Sequence, residues 1–402
     1  MNTGKQFFQI GLLLVIVSFF ALSGTGNAEE LLLPFIYEDW TYYTTENSPL
    51  PDDHVFYVKV DGPRVWFGTE DGLACLEDGE WQVWKMEDGL PWKVISGIDI
   101  CPRTGDVWIA LFGEGVARYS AGRFDQWTQM NSGLINDVVY NVAVQDHYVW
   151  AATTAGASRY NTRTQEWDVY TDVNAPMHEI WNYNVMYDHG SDLVWLAVWG
   201  GGWLQFNIHT ETWKAYVDPD GEMEYALFAD DGPAHVITTG VCYRDGLMWG
   251  STYFGVSRFD GRHWRGYFEH NSGLLSEFNN FIRNHNGEGW CCTDKGLSAM
   301  MDFDTNTWVN YIPCPDTKSC TVQVVRGTEV IHERQLETCI PNNFILGADF
   351  TENHDIWVAT SHGVAFGCGK NYYSGLRPVS VTEDRAEAET EESSPAPAET
   401  EE

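Results

Sequence analysis

The chain has 402 residues, of which 58 are acidic and 23 are basic, so its formal net charge is −35. A surface this acidic repels phosphate backbones and anionic lipid, which argues against nucleic acid and membrane surfaces as partners. None of the nine cysteines lies in a Cys-x-x-Cys spacing. Thioredoxin-like chemistry and covalent haem attachment therefore have no support in the sequence.

The first 28 residues have the order of a secretory signal peptide. Lys5 supplies a positive charge, Phe7–Leu22 is an apolar run, and Gly26-Asn27-Ala28 is a small-residue cleavage pattern. The run is shorter than the roughly 20 residues that a membrane-spanning helix needs, so we expect cleavage and no membrane insertion afterwards. The sequence therefore predicts an exported protein, periplasmic or extracellular, in which some of the cysteines form disulfides.

A motif of an aliphatic residue, a tryptophan and small residues then recurs seven times. Its tryptophans are Trp66, Trp108, Trp150, Trp195, Trp249, Trp290 and Trp357. The short β-branched and aromatic runs around them, separated by Gly, Asn and Asp turns, are strand signals. A unit of four strands that repeats at roughly 42 residues is typical of a propeller blade. We predict an all-β, seven-bladed β-propeller of four-stranded antiparallel blades over residues 29–380, in which these tryptophans pack between the blades.

A ring of blades has to close, and two segments compete for the outer strand of blade 7. Tyr37–Thr44 resembles the outer strands of the other repeats and contains Trp40. We therefore predict that the N-terminal strand latches the last blade. Asn371–Ser374 also falls where this outer strand would lie, and it is the alternative.

The motif resembles a known repeat. The pattern Trp66-Phe67-Gly68-Thr69 followed by Gly72-Leu73 is similar to the two-component regulator propeller repeat, and the resemblance covers about Tyr37–Ser374. It implies the propeller fold. Members attached to histidine kinases imply ligand sensing, often of carbohydrates. No membrane span or kinase follows the repeats here, so we expect the free-standing exported form, which would signal through a separate protein.

An acidic insertion lengthens the spacing between blades 4 and 5. It contains Asp218, Asp220 and Glu222, whose carboxylates are the hard oxygen ligands that calcium prefers. Their spacing does not match an EF-hand, so a solvated acidic loop is the preferred interpretation and a calcium site is the alternative.

A second insertion, residues 311–341, precedes blade 7 and is rich in cysteine. Thr321–Val325 and Thr328–Glu333 flank Arg326-Gly327 as a hairpin would. We predict a disulfide-stapled hairpin that projects from the disc, with a docking surface for a partner protein as the functional alternative. The last segment, residues 381–402, consists mainly of Glu, Ala, Thr, Ser and Pro without an aromatic residue, so we expect an acidic disordered tail.

The loops before the first strand and after the second strand of each blade share one face around the central channel, which is the usual ligand site of a propeller. Our first hypothesis is that aromatic and polar residues there bind a glycan, a peptide or an envelope or extracellular protein without chemistry. The sequence Trp199-Gly200-Gly201-Gly202-Trp203 should leave both indoles accessible. The ligand-binding candidates are Lys93, Phe112, Asp137, Trp199, Trp203, Tyr253, Phe254 and Glu277.

Two further hypotheses use the same face, and the protein is expected to be a monomeric ring in each. In one, Asp137 and Glu277 act as acid and base of a glycan lyase or hydrolase. In the other, His54, His178 and His235 bind a transition metal in an envelope protein.

Overall fold

The computed structural model describes residues 31–218 and 232–378. The predicted signal peptide, the predicted tail and two calcium candidates, Asp220 and Glu222, lie outside these residues. Residues Leu33–Arg377 form one compact unit. Within the described residues no helix is long and apolar enough to cross a membrane.

Seven antiparallel sheets follow one another along this unit and form the blades of a propeller. The first strands of consecutive blades contact each other, and the first strand of blade 7 contacts that of blade 1, which closes the ring around the channel. These innermost strands are Val55–Asp61, Ile95–Ile100, Val139–Gln145, Asn182–Asp188, Thr238–Arg244, Asn279–His285 and Ile345–Phe350. The predicted all-β seven-bladed fold is therefore confirmed.

The other strands of each blade follow outward in chain order. The second strands are Arg64–Thr69, Val107–Leu111, Tyr148–Thr153, Leu193–Val198, Leu247–Thr252, Glu288–Thr293 and Ile356–Thr360. The third strands are Gly72–Glu77, Gly115–Ser120, Gly156–Asn161, Gly202–Asn207, Gly255–Phe259, Leu297–Asp302 and Gly363–Gly367. The fourth strands of blades 1 to 6 are Glu80–Trp84, Arg123–Trp127, Glu166–Tyr170, Thr212–Tyr216, Trp264–Tyr267 and Thr307–Cys314. In the described residues a 3-10 turn at Met86–Asp88 is the sole helical element, and the short strands Leu32–Leu33 and Arg377–Pro378 pair with each other.

The repeated tryptophans are packing residues, as predicted. Each lies in the second strand of its blade and is at most 5% exposed. In six blades it also stacks on the aromatic residue that ends the fourth strand of the same blade, as Trp150 does on Tyr170 with ring centroids 5.3 Å apart. In blade 6, Trp290 stacks on Tyr311 within the fourth strand. These indoles supply much of the apolar area that holds the blades together, because a buried tryptophan removes about 200 Å² from water.

The N-terminal strand Trp40–Tyr43 completes blade 7 by pairing with Gly363–Gly367, so the predicted latch is confirmed. Trp40 lies opposite Gly367 and is 7% exposed. The alternative closure is wrong, because Asn371–Ser374 contains no strand and instead turns across the neighbouring blade.

Blade 6 is larger than the others. The hairpin Ser319–Arg326 and Glu329–Leu336 adds a fifth and a sixth strand to its sheet, so the insertion continues the plane of the blade instead of projecting away from it. A disulfide joins Cys320 to Cys339. The other seven cysteines are free, and of these Cys314 is exposed.

Candidate functional site

A cavity of about 380 Å³ lies at the end of the channel where the innermost strands begin. Each innermost strand carries a register irregularity at its second residue. Such a bulge leaves one residue without a partner across the ladder and re-aims its side chain. All seven bulged residues line the cavity, and they are Phe56, Ser96, Tyr140, Tyr183, Thr239, Asn280 and Leu346.

The next residue of each innermost strand is either a lining side chain or a glycine. Four blades place a side chain there that also lines the cavity, including Asn141 and Asn184. The other three blades have glycine at this position, and Gly97 shows the reason. A Cβ atom on Gly97 would lie 2.3 Å from the Asn141 amide oxygen, so this glycine makes room for the side chain of the next blade.

An aromatic wall lies along the cavity at blades 2 to 5; four of its rings line the cavity, and Trp181 and Trp199 pack against them. We use this name for Phe112, Tyr140, Trp181, Tyr183, Trp199 and Tyr253. Tyr140 stacks on Tyr183 with centroids 4.6 Å apart, and Phe112 meets Tyr140 edge-on at 5.2 Å. Trp199 stacks on Trp181 at 5.6 Å and meets Tyr253 edge-on at 4.9 Å. These contacts join the rings into one packed cluster.

The tyrosine hydroxyls of the wall remain protonated at neutral pH. Burial raises the pKa of Tyr140, Tyr183 and Tyr253 above the ordinary value of the phenol. The hydroxyls can therefore both donate and accept hydrogen bonds.

The rest of the lining combines apolar side chains with polar, uncharged ones. It includes Ser96, Asn141, Asn184, Thr239 and Asn280. Among the described residues that line the cavity, none is Asp, Glu, Lys or Arg. The described lining thus offers apolar ring faces and neutral hydrogen-bonding groups.

Charged residues do lie in the channel, but about 10 Å further along the innermost strands. Lys59 pairs with Asp99 at 2.8 Å, and Arg283 pairs with Asp349 at 3.2 Å. Each pair joins two neighbouring blades. Desolvation lowers the pKa of Lys59, but the carboxylates of Asp99 and Asp349 outweigh it, so the pKa is raised and Lys59 stays charged. These pairs hold the ring together from inside.

The structure brings some of the predicted ligand-binding residues together. Phe112 and Tyr253 line the cavity, and Trp199 lies in the aromatic wall. The expectation that both indoles of the Gly-rich turn are accessible is wrong for Trp203, which is completely buried. Its indole N–H donates to the carbonyl of Gly240 at 3.1 Å, so it belongs to the contact between blades 4 and 5.

Other candidates lie away from the cavity. Lys93 is exposed outside the lining, and Phe254 packs on His235 with ring centroids 4.3 Å apart. The Asp137 carboxylate accepts the backbone N–H of Gln129 at 2.8 Å and so stabilises a turn. Glu277 is half-buried outside the lining. The two carboxylates are therefore not part of the cavity.

The three candidate histidines have separate surroundings. His54 lines the cavity, whereas His178 is exposed outside it. The Nδ1 atom of His235 accepts the backbone N–H of Ile237 at 3.0 Å, which closes the turn before blade 5. Asp218 is buried in the neighbourhood of His235. In the part of the chain that the structure describes, no group of three or more His, Cys, Asp or Glu side chains is arranged to hold a metal ion.

Sequence reasoning missed most of the cavity lining, including Tyr140, Tyr183 and Asn141. A signal for them exists, because all occupy the second or third position of an innermost strand. The second position of each innermost strand lies 10 to 12 residues before the buried tryptophan of its repeat, so an alignment of the repeats with short gaps would have grouped these positions.

Comparisons with known proteins agree with this architecture. No protein family model and no curated protein sequence matches the chain. Solved propellers do match. Two are extracellular domains of B. thetaiotaomicron proteins described as hybrid two-component systems, with TM-scores of 0.61 and 0.63 and identities of 16% and 14%. The matches cover 83% and 85% of this chain but 42% and 41% of those domains, so the chain spans about two fifths of their length.

A third solved structure, a streptogramin B lyase, has a TM-score of 0.58 and 12% identity, and the match covers 85% of this chain and 98% of that one. Similarity at these identities shows the fold alone.

Proposed function

We propose that this protein is an exported ligand-binding or sensing propeller that takes a neutral glycan into the cavity at the mouth of the channel. The observation that carries the proposal is the lining, where a pre-packed aromatic wall faces neutral amide and hydroxyl groups. The similarity of the chain to extracellular domains of proteins described as hybrid two-component systems supports a sensing role.

Sugar rings suit this cavity chemically. The axial C–H faces of a pyranose are apolar and pack on flat aromatic rings, while its hydroxyl groups need donors and acceptors around the ring edge. Phe112 and Tyr140 present such faces, and Asn141, Asn184 and Asn280 supply amide groups. A cavity of about 380 Å³ lies within the size range of small-ligand sites.

The charge of the cavity favours a neutral ligand over an acidic one. The described lining holds no Lys or Arg side chain that would pair with a carboxylate or sulfate. The chain as a whole has a net charge of −35, which repels anions as they approach. Uronic acid and sulfated sugars are therefore expected to bind more weakly than their neutral counterparts.

The test is a panel of neutral and acidic oligosaccharides on an array, followed by calorimetry with the strongest binder. Phe112→Ala is expected to weaken binding at least tenfold, about 1.4 kcal/mol, because it removes a ring that lines the cavity. Phe303→Ala is the matched control. Phe303 is 38% exposed against 39% for Phe112, but it does not line the cavity.

Two results would overturn the proposal. One is that no neutral oligosaccharide binds at millimolar concentration while acidic oligosaccharides of the same panel do. The other is that Phe112→Ala and Phe303→Ala bind the strongest glycan equally well.

A further inference from the structure

A cluster of polar side chains lies at the other end of the innermost strands, on the face opposite the cavity. His285 ends the first strand of blade 6, and His354 lies in the turn between the first two strands of blade 7. The His285 Nε2 and His354 Nδ1 atoms face each other at 3.0 Å. Nothing in the glycan-binding cavity explains this pair.

A third donor completes the cluster. The side-chain amide nitrogen of Asn286 is 3.5 Å from His285 Nε2 and 3.4 Å from His354 Nδ1. The oxygen and nitrogen of a side-chain amide are assigned from their hydrogen bonds, so a half-turn of the amide places Oδ1 at the same corner. Two imidazole nitrogens and one amide oxygen can therefore form a triangle.

The dimensions of this triangle match those around a small metal ion. Two ligands held about 2.0–2.1 Å from a tetrahedral zinc ion are about 3.3 Å apart. The three observed separations of 3.0, 3.4 and 3.5 Å bracket that distance. The histidine pair needs to open by only a few tenths of an ångström to admit the ion.

The ligands are held in place by their neighbours. His285 stacks on Phe350 with centroids 4.1 Å apart, and His354 stacks on Tyr372 at 4.4 Å. The His354 backbone has a positive φ of 66°, which is uncommon for this residue type. Its carbonyl accepts the hydroxyl of Tyr37 at 2.6 Å, which holds this backbone in position.

The chemical state of the cluster suits metal binding. His285 is 6% exposed, so few water molecules surround its ring. Asn286 is exposed, which leaves room for water as a fourth ligand.

We propose that His285, His354 and Asn286 bind a divalent first-row transition-metal ion of the zinc and copper class. Imidazole nitrogen suits these ions. Calcium and magnesium are disfavoured because they need several oxygen ligands, and the triangle supplies one. The site joins blade 6 to blade 7 beside the N-terminal latch, so the ion would bridge two blades.

The experiment uses the full chain after treatment with a chelator, and Zn²⁺ is titrated by calorimetry. Wild-type protein is expected to bind one ion per chain. His354→Gly removes a ligand while glycine tolerates the positive φ, and it should lower the affinity at least 100-fold. Asn286→Gly likewise places a glycine, which tolerates the same backbone conformation, at an exposed position. This variant should lower the affinity for Zn²⁺ about tenfold. His263→Ala, which removes a histidine that is 77% exposed elsewhere, should change nothing.

Cobalt gives a second readout that does not depend on stability. Co²⁺-loaded wild-type protein should absorb visible light with the intensity of a tetrahedral nitrogen and oxygen site, and His354→Gly should lose this absorption while it keeps the circular dichroism spectrum of folded β-sheet. The proposal is overturned if wild-type protein binds no Zn²⁺ at micromolar concentration, or if His354→Gly and wild type bind it equally.

Discussion

Replacement of Trp40 by alanine tests how much the N-terminal latch contributes to the ring. The indole is 7% exposed, lies edge-on to Tyr311 at 5.5 Å and donates its N–H to the Tyr37 carbonyl at 3.0 Å. Its backbone partner is Gly367, and the Trp40 ring lies where a Cβ atom on that glycine would be. The substitution therefore removes a buried apolar contact of the N-terminal strand with blades 6 and 7.

The expected loss follows from the area involved. A buried tryptophan removes about 200 Å² from water, which corresponds to about 5 kcal/mol at about 25 cal/mol per Å². Alanine retains a small part of this, so the free energy of unfolding should fall by about 4 kcal/mol, within the range found for Trp→Ala in protein cores. Single domains have only about 5–15 kcal/mol in total.

The assay is equilibrium unfolding in urea, followed by tryptophan fluorescence and by circular dichroism. Thr41→Ala is the matched control, because Thr41 lies in the same strand and is exposed. It should change the free energy of unfolding by less than about 0.5 kcal/mol. A Trp40→Ala protein that loses no more stability than Thr41→Ala would show that the strand is not part of the cooperative ring.

Two further substitutions test other contacts. Burial lowers the pKa of His235, whose Nδ1 accepts the Ile237 N–H; the unfolded chain therefore binds more protons below pH 6.5, and stability falls as the pH drops through this range. His235→Asn keeps a hydrogen-bond acceptor at this position, as asparagine does in blades 3 and 7. When the free energy of unfolding is measured in urea from pH 7.5 to 5, it should therefore fall less for the variant than for the wild type. Lys59→Met removes the ion-pair partner of Asp99 in the channel and should lower the free energy of unfolding by about 3 kcal/mol. The double variant with Asp99→Asn should recover at least half of this loss. Equal losses in the single and double variants would contradict the pairing.

The repeat could be predicted from the sequence because its signal is large and chemically uniform. The buried tryptophans recur in the second strand of each blade, and the segment around Trp40 resembles the outer strands of the other repeats. Close packing restricts such positions to few residue types.

The cavity could not be predicted in the same way, because a bulge is a backbone feature that any residue type can occupy. Its seven positions hold residues as different as Phe56, Ser96 and Leu346. For Trp203 the sequence did suggest a place in the site, and that prediction was wrong. Its glycine neighbours suggested an exposed indole, but a Cβ atom on Gly250 would lie 2.2 Å from the Trp203 ring, so a glycine on the adjacent blade makes the space that buries it.

Closure by the N-terminal strand has a consequence for the order of folding. Trp40 pairs with Gly367, so the strand Trp40–Tyr43 has no partner until the six intervening blades and most of blade 7 have been made. Contacts this distant in sequence slow folding. Until they form, an indole and the edge of blade 7 remain open to other chains. We therefore expect nascent or refolding chains to depend on protection from aggregation until the last blade arrives, and chains truncated before Gly363–Gly367 to remain incompletely folded.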